Sequence, residues 1–234
     1  KRSDHAGHCE KVVDAPGGPN GLALAPDGRV FIASQGHGVM VYDPEQNTLR
    51  VVAGDYQGEP IKGANDLAFD AEGGLYVTVP QGDLFNPRGR VFYLPPGGGE
   101  PVQVASGLSY PNGIAVSADG QRILVAEMMM KRILAVPAVG KESPFNVTYV
   151  WARTAGGVGP DGIHLGADGR LYVANLERGE LLVYSSDAML EQTIPLPEQA
   201  GPVTTNVTSD GQHLFITESG KGEVWQLPLP AHSQ

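Results

Sequence analysis

The stretch GPDGIHLGADGRLYVAN, residues 159–175, decides the fold because the chain repeats its pattern. It places a carboxylate, Asp161, ahead of a short apolar run, a turn at Asp168-Gly169 and a second apolar run. An acidic residue followed by glycine between two apolar runs is typical of a tight hairpin, because glycine supplies the positive φ angle that the turn needs. The stretch taken alone therefore predicts a β-hairpin.

Five copies of this pattern follow one another along the chain. Their opening polar residues are Asn20, Asn65, Asn112, Asp161 and Asn206, so the steps between copies are 45, 47, 49 and 45 residues. After each hairpin comes a third strand such as GVMVYD, and four copies continue into a more variable fourth strand such as LRVVAG. A period near 45 residues made of strands and turns is the signature of a β-propeller blade.

The sequence thus predicts an all-β fold, a single β-propeller domain over residues 1–234 with five four-stranded blades. The fifth copy lacks a fourth strand, and the chain has a spare strand, CEKVVDA at residues 9–15, ahead of the first copy. Pairing of residues 9–15 with the last blade would close the ring and cover both edge strands. The alternative is a six-bladed propeller with a missing first blade.

Composition and charge exclude several classes of function. The chain has 16 Lys and Arg against 26 Asp and Glu, a formal charge of −10, which argues against a nucleic-acid or anionic-membrane partner. No run of 18 apolar residues is present, so no membrane-spanning segment is expected. We expect a soluble protein, whether cytoplasmic, periplasmic or secreted. The sequence leaves the compartment and the oligomeric state open.

The ordered phrases GANDLAFDAEGGLYVT, YPNGIAVSADGQRILVAE and VGPDGIHLGADGRLYVAN resemble the senescence-marker-protein/gluconolactonase family, the regucalcin-like lactonases. The resemblance covers nearly the whole chain. It implies a propeller that hydrolyses sugar lactones or related esters with a divalent cation, often calcium, at the mouth of its channel. The family is six-bladed, and the glutamate phrase of its usual first blade is absent here.

The resemblance implies that Asn112 and Asp161 are metal ligands and that Asn65 contacts the substrate or water beside the metal. The first strand of each propeller blade lines the channel, so Asn20, Asn65 and Asn206 are expected at the same rim as additional ligands. Amide and carboxylate oxygens suit Ca²⁺, with Mg²⁺, Mn²⁺ or Zn²⁺ as alternatives. Such residues also satisfy turn backbone groups, and this second interpretation stays open.

Asp161 is the predicted catalytic residue, because it is the only carboxylate among the five rim residues and can orient or deprotonate a water molecule. Its neighbour in the second copy, Asp66, is interpreted as a structural acid. His37 lies in a glycine-flanked loop and is a candidate substrate-binding residue, whereas His164 is expected to be a packed, hydrogen-bonded histidine.

Further polar and sulfur-containing residues lie at the ends of the second strands. Glu127 and Asn175 are either rim residues or solvated strand ends, and Glu218 is interpreted as the latter. The run Met128-Met129-Met130 either caps an apolar substrate or packs on neighbouring loops.

These observations predict metal-dependent hydrolysis of a sugar lactone or related ester at the channel of the propeller. No Gly-x-Ser-x-Gly phrase is present, which argues against a serine nucleophile. One alternative is a non-catalytic propeller that binds a ligand or a protein. Another is a strictosidine-synthase-like enzyme on the same scaffold. The expected partner is a small-molecule lactone or ester.

Overall fold

A computed structural model describes residues 2–3, 9–141 and 146–231, and these form an all-β architecture with a single 3-10 turn at Met128–Met130. Five antiparallel sheets follow one another around a common channel, and we number them blades I to V in chain order. Blades I to IV have four strands each, and blade V has three in the described part of the chain. The all-β, five-bladed propeller predicted from the repeat is confirmed.

Each blade is a meander whose first strand lies innermost. Blade I contains Pro19–Leu24, Val30–Ser34, Gly38–Asp43 and Thr48–Ala53. Blade II contains Leu67–Phe69, Leu75–Val79, Gly89–Leu94 and Val102–Leu108, and blade III contains Pro111–Val116, Arg122–Glu127, Arg132–Pro137 and Tyr149–Arg153. Blade IV contains Gly159–Leu165, Leu171–Leu176, Glu180–Tyr184 and Leu190–Pro195, and blade V contains Thr204–Ser209, His213–Glu218 and Glu223–Pro228. Two short ribbons pair Arg2–Ser3 with Cys9–Glu10 and Asp55–Tyr56 with Glu59–Pro60.

The core consists of apolar layers between successive blades. Fully buried side chains fill each layer because strand residues alternate between the two faces of a sheet. Representative members are Val39 and Val77 between blades I and II, Val91 and Ile123 between II and III, Ile133 and Val173 between III and IV, and Leu181 and Ile216 between IV and V. No comparable packing joins blade V to blade I within the described residues.

The arrangement is therefore open on the side between blades V and I. Leu22 and Leu24 of blade I are 61% and 70% exposed, and Val224 of blade V is 68% exposed. The inner strands of blades II, III and IV instead have a neighbouring blade on each side.

The prediction that residues 9–15 close the last blade is wrong for the part of the chain that the structure describes. Cys9–Glu10 pairs with Arg2–Ser3 and not with blade V. The following residues, Val13 and Ala15, pack instead on Ile32 and neighbouring side chains of blade I. The physical reason is that this segment covers part of the blade I face that no other blade covers.

In four of the five blades, the polar residue that opens the inner strand lies at an irregularity of that strand. Asn65 of blade II instead precedes its inner strand, Leu67–Phe69. The register shifts between Pro111 and Ile114 and between Pro160 and Ile163, and blades I and V show equivalent shifts. An extra residue in one strand of a pair redirects the side chain at that point. The phrases Pro-Asn-Gly and Pro-Asp-Gly thus form bulges at the channel, not the turns that the sequence suggested.

Glycines beside the polar residues allow neighbouring inner strands to approach closely. A Cβ atom on Gly113 would lie 2.5 Å from the carbonyl oxygen of Asp161, and a Cβ atom on Gly162 would collide with the side chain of Asn206. Neither glycine has a positive φ angle, so the requirement at these positions is space and not backbone conformation.

We predict that Gly162→Ala lowers the free energy of unfolding by about 3 kcal/mol, because the added methyl group must displace the Asn206 side chain. Gly169→Ala is the control, since Gly169 has φ +79° but no atom within 4 Å of an added Cβ. The control should cost about 1 kcal/mol through backbone strain alone. Denaturant unfolding measures both, and equal losses would contradict the role of close approach.

Candidate active site at the channel mouth

The five opening residues meet in one cavity of about 1030 Å³ at the centre of the propeller. We call the end at which the inner strands begin the mouth. The predicted rim residues Asn20, Asn65, Asn112, Asp161 and Asn206 all line this cavity. The structure therefore brings the predicted metal-binding set together, while their individual roles stay predictions.

Asn112 and Asp161 form the centre of the site. Asn112 is buried, 5% exposed, and its side chain donates a hydrogen bond to the Asp161 carboxylate. Its Nδ2 atom also lies 3.6 Å from Sδ of Met128. The two inner strands that carry these residues pack directly against each other, which holds the amide beside the carboxylate.

Asp66 is a second buried carboxylate that the sequence analysis did not assign to the site. It is 6% exposed, lines the same cavity and accepts a hydrogen bond of 3.4 Å from the backbone N–H of Ile114. The Asn206 side chain is another hydrogen-bond partner. Asp66 thus connects blade II to blades III and V.

A sequence signal for Asp66 exists in the repeat. Asp66 occupies the position held by glycine in three other copies, and its Oδ1 atom fills the space beside Gly21, 2.5 Å from where a Cβ would be. The substitution of an acid for this glycine distinguishes the second copy. Asp66 has the structural contacts expected of it, but its partners lie on neighbouring blades and not in its own turn.

Burial raises the pKa of both acids in the metal-free protein, and the charge of Asp66 adds to the effect at Asp161. Burial, and next the charge of Asp66, raise the pKa of Asp161 to about 8, against the opposing hydrogen bond from Asn112. Burial raises the pKa of Asp66 to about 6, against hydrogen bonds from two backbone N–H groups and from Asn206. The described residues that line the cavity include no lysine or arginine to balance these charges.

The donor set fits a divalent cation. Two carboxyl groups and several carboxamides present hard oxygen atoms to one small space, which is the ligand chemistry that calcium and magnesium require. A buried carboxyl group without a cationic partner has a raised pKa and therefore keeps its proton to a higher pH, as both acids do here. A bound cation would supply the missing partner and keep both acids ionised.

Residues at the ends of the second strands hold the loops that lead into the inner strands. The Glu127 carboxylate accepts a hydrogen bond from the Ser109 N–H at 2.8 Å, and Glu218 accepts one from the Val203 N–H at 3.0 Å. Asn175 donates instead to the carbonyl oxygen of its loop residue Ala155. All three are buried, so Glu218 is not a solvated strand end.

The two histidines lie away from the acids. His37 is exposed and its ring lies against Gly17, while Gln35 of the same loop lines the cavity. His164 lines the cavity, with Nε2 3.0 Å from Oγ of Ser209 near the far end of the inner strands. Burial lowers the pKa of His164, which favours the neutral ring. His164 is hydrogen-bonded as expected, and the structure does not bring His37 to the acids.

A β-propeller with an oxygen-donor site at the mouth of its channel defines the class of protein. The family model described as SMP-30/Gluconolactonase/LRE-like region matches residues 1–220, and the chain belongs to this family. A gluconolactonase structure from Xanthomonas campestris matches with a TM-score of 0.78 and 27% identity over 94% of this chain and 74% of that one.

Curated relatives carry hydrolase names. The diisopropyl-fluorophosphatase of Loligo vulgaris is 27% identical over 94% of this chain and 74% of its own length. The lactonase drp35 of Staphylococcus aureus strain MRSA252 is 30% identical over 71% of this chain, and the match spans 53% of its length, about half. The predicted class, a hydrolase of the lactonase or esterase type, is confirmed. No helix in the described residues is long and apolar enough to cross a membrane.

We predict that the metal-free protein loses stability as the pH rises from about 4 to about 8. A carboxyl group whose pKa is raised in the folded state stabilises the protein below its ordinary pKa of 3.8, and this contribution is lost as the pH passes through the raised value. Asp161→Asn, which keeps a neutral side chain at every pH, should therefore melt several degrees above the unsubstituted protein at about pH 8.5 but not at about pH 5.

Thermal unfolding with a chelator present measures this difference. Asp187→Asn removes one exposed carboxylate from the outer part of blade IV and is the matched charge control. An equal shift in both variants would show that net charge, and not burial of Asp161, is responsible.

Proposed function

We propose that this chain hydrolyses a lactone or a related ester at the channel mouth and that the reaction depends on a divalent metal ion. The observation that carries the proposal is the pair of acids, Asp161 and Asp66, which share one cavity with four asparagine amides. The described residues that line this cavity include no lysine or arginine. Membership of the gluconolactonase family supports the same reaction class.

Asn112 and Asp161 would hold the cation, with Asn65, Asn20 and Asn206 as the further oxygen donors that line the cavity. We propose Ca²⁺ as the cation, because amide and carboxylate oxygens are hard donors and the site has room for several ligands. When bound, the cation would polarise the lactone carbonyl and stabilise the negative charge that develops on its oxygen.

The protein residues supply position and proton transfer. The Asn112 side chain favours the ionised form of Asp161, because its hydrogen bond lowers the pKa of that carboxyl group. In its ionised form, Asp161 can accept a proton from the water molecule that attacks the carbonyl carbon. Asp66 lines the same cavity and connects the inner strands through Ile114 N–H and Asn206, so we assign it a positioning role.

We predict that chelated protein is inactive toward lactones and that Ca²⁺, Mg²⁺, Mn²⁺ or Zn²⁺ restores hydrolysis. Asp161→Asn should lower kcat by about 100-fold or more, because it removes the proton acceptor and the strongest donor for the cation. A pH-stat assay on a panel of lactones and aryl esters measures turnover. The control is His37→Ala, whose side chain lies outside the cavity.

Two results would oppose this proposal. Full activity in Asp161→Asn would place the chemistry elsewhere on the chain. Cation binding by calorimetry without turnover of any lactone or ester would instead favour the alternative of a ligand-binding propeller.

A further inference from the structure

One wall of the channel mouth is apolar and lies beside the central amide. Met128 is 5% exposed, and its sulfur lies 3.6 Å from Nδ2 of Asn112, the residue that contacts Asp161. Tyr110 and Leu176 line the same cavity at the ends of the strands of blades III and IV. We call Tyr110, Met128 and Leu176 the apolar wall.

The backbone of Tyr110 is held in an unfavourable conformation. Its φ angle is +61°, in the left-handed region that non-glycine residues rarely adopt, and Pro111 follows it directly. The carbonyl oxygen of Tyr110 accepts a hydrogen bond from the N–H of Met128 at 3.1 Å, which ties the two wall residues together. Strain of this kind persists only where the surroundings enforce it, and it concentrates at binding sites.

A buried ion pair enforces the position of the wall. The Glu127 carboxylate accepts the N–H of Ser109, the residue before Tyr110, and pairs with the guanidinium of Arg132. The N–H of Met129 donates back to the carbonyl oxygen of Ser109 at 3.3 Å. The wall is therefore formed before any ligand binds, which lowers the cost of binding against it.

The chemistry of the wall selects among lactones. The Met128 thioether and the Leu176 isobutyl group form no strong hydrogen bonds to the hydroxyl groups of a sugar ring, and Tyr110 offers a single hydroxyl. Most sugar hydroxyl groups would therefore lose their hydrogen bonds to water on this side. The described cavity-lining residues also include no lysine or arginine that could pair with an anionic substituent. An alkyl chain, in contrast, gains favourable burial against all three side chains.

We propose that the apolar wall binds an alkyl substituent of an uncharged lactone, so that alkyl lactones and not sugar lactones are the preferred substrates. This inference rests on the proposed lactone hydrolysis and specifies its substrate. Asn112 and Asp161 face the ring, and Tyr110, Met128 and Leu176 contact the alkyl chain.

The test compares lactones with the same six-membered ring in the metal-loaded protein. δ-Octalactone carries a propyl group, δ-valerolactone carries no substituent and glucono-δ-lactone carries hydroxyl groups. We expect kcat/KM for δ-octalactone to exceed both other values about tenfold or more. Tyr110→Gly should reduce the ratio of δ-octalactone to δ-valerolactone to near one, because the wall loses its aromatic side chain.

Tyr110→Gly is chosen because glycine accepts the positive φ angle, so the variant should melt no lower than the unsubstituted protein. The matched control is Tyr149→Ser, which removes an exposed tyrosine from the outer strand of the same blade and should keep the ratio. A ratio that survives both Tyr110→Gly and Met128→Gln would overturn the assignment of the wall.

The outcomes separate the two proposals. The proposed substrate class would be overturned if the protein preferred glucono-δ-lactone or showed no preference for the propyl group. Lactone hydrolysis itself would still be supported by either result. No hydrolysis of any of these lactones with any of the cations would overturn the proposed function, and the substrate class with it.

Discussion

The structure depends on how closely its inner strands approach one another around the channel. Space for this approach comes from the glycine that follows the opening polar residue in three of the five copies, Gly21, Gly113 and Gly162, and atoms of another blade fill that space. The Asp66 carboxylate lies over Gly21, and the Asn206 amide lies over Gly162. The same contacts therefore hold the inner strands together and position the polar residues of the site. A substitution that changes one is expected to change the other.

The same close approach of the inner strands explains why the ionised site lowers the stability of the metal-free protein. Close approach buries Asp161 and Asp66 in one cavity, and their pKa values rise because burial disfavours the charged form of each acid. The destabilisation belongs to the ionised acids and not to the bulges that position them. A divalent cation would convert this unfavourable burial into ligand binding, so stability and cation affinity are coupled through the same two carboxyl groups.

The repeat was sufficient to predict the hairpins, the five blades and the five polar residues at the mouth, because each depends on local pattern and period. The role of Asp66 was missed, since its side chain acts on the neighbouring blades and not on its own turn. The pairing of residues 9–15 was also missed. Counting strands favoured blade V, whereas Val13 and Ala15 bury against the uncovered face of blade I. Whether this segment packs on blade I or on blade V depends on tertiary packing, which a local sequence pattern does not predict.

Because blades V and I do not pack together in the described residues, other contacts must hold the inner strands in place at the mouth. Besides the apolar layers between successive blades, hydrogen bonds at the mouth join adjacent inner strands, and one of them links two blades that are not adjacent. Asp66 of blade II bonds to Ile114 of blade III and to Asn206 of blade V, and Asn112 of blade III bonds to Asp161 of blade IV. Four of the five blades are therefore joined by polar side chains at the mouth itself. The site keeps its geometry because its own hydrogen bonds hold the inner strands together, even where no blade packs on the face of Leu22 and Leu24.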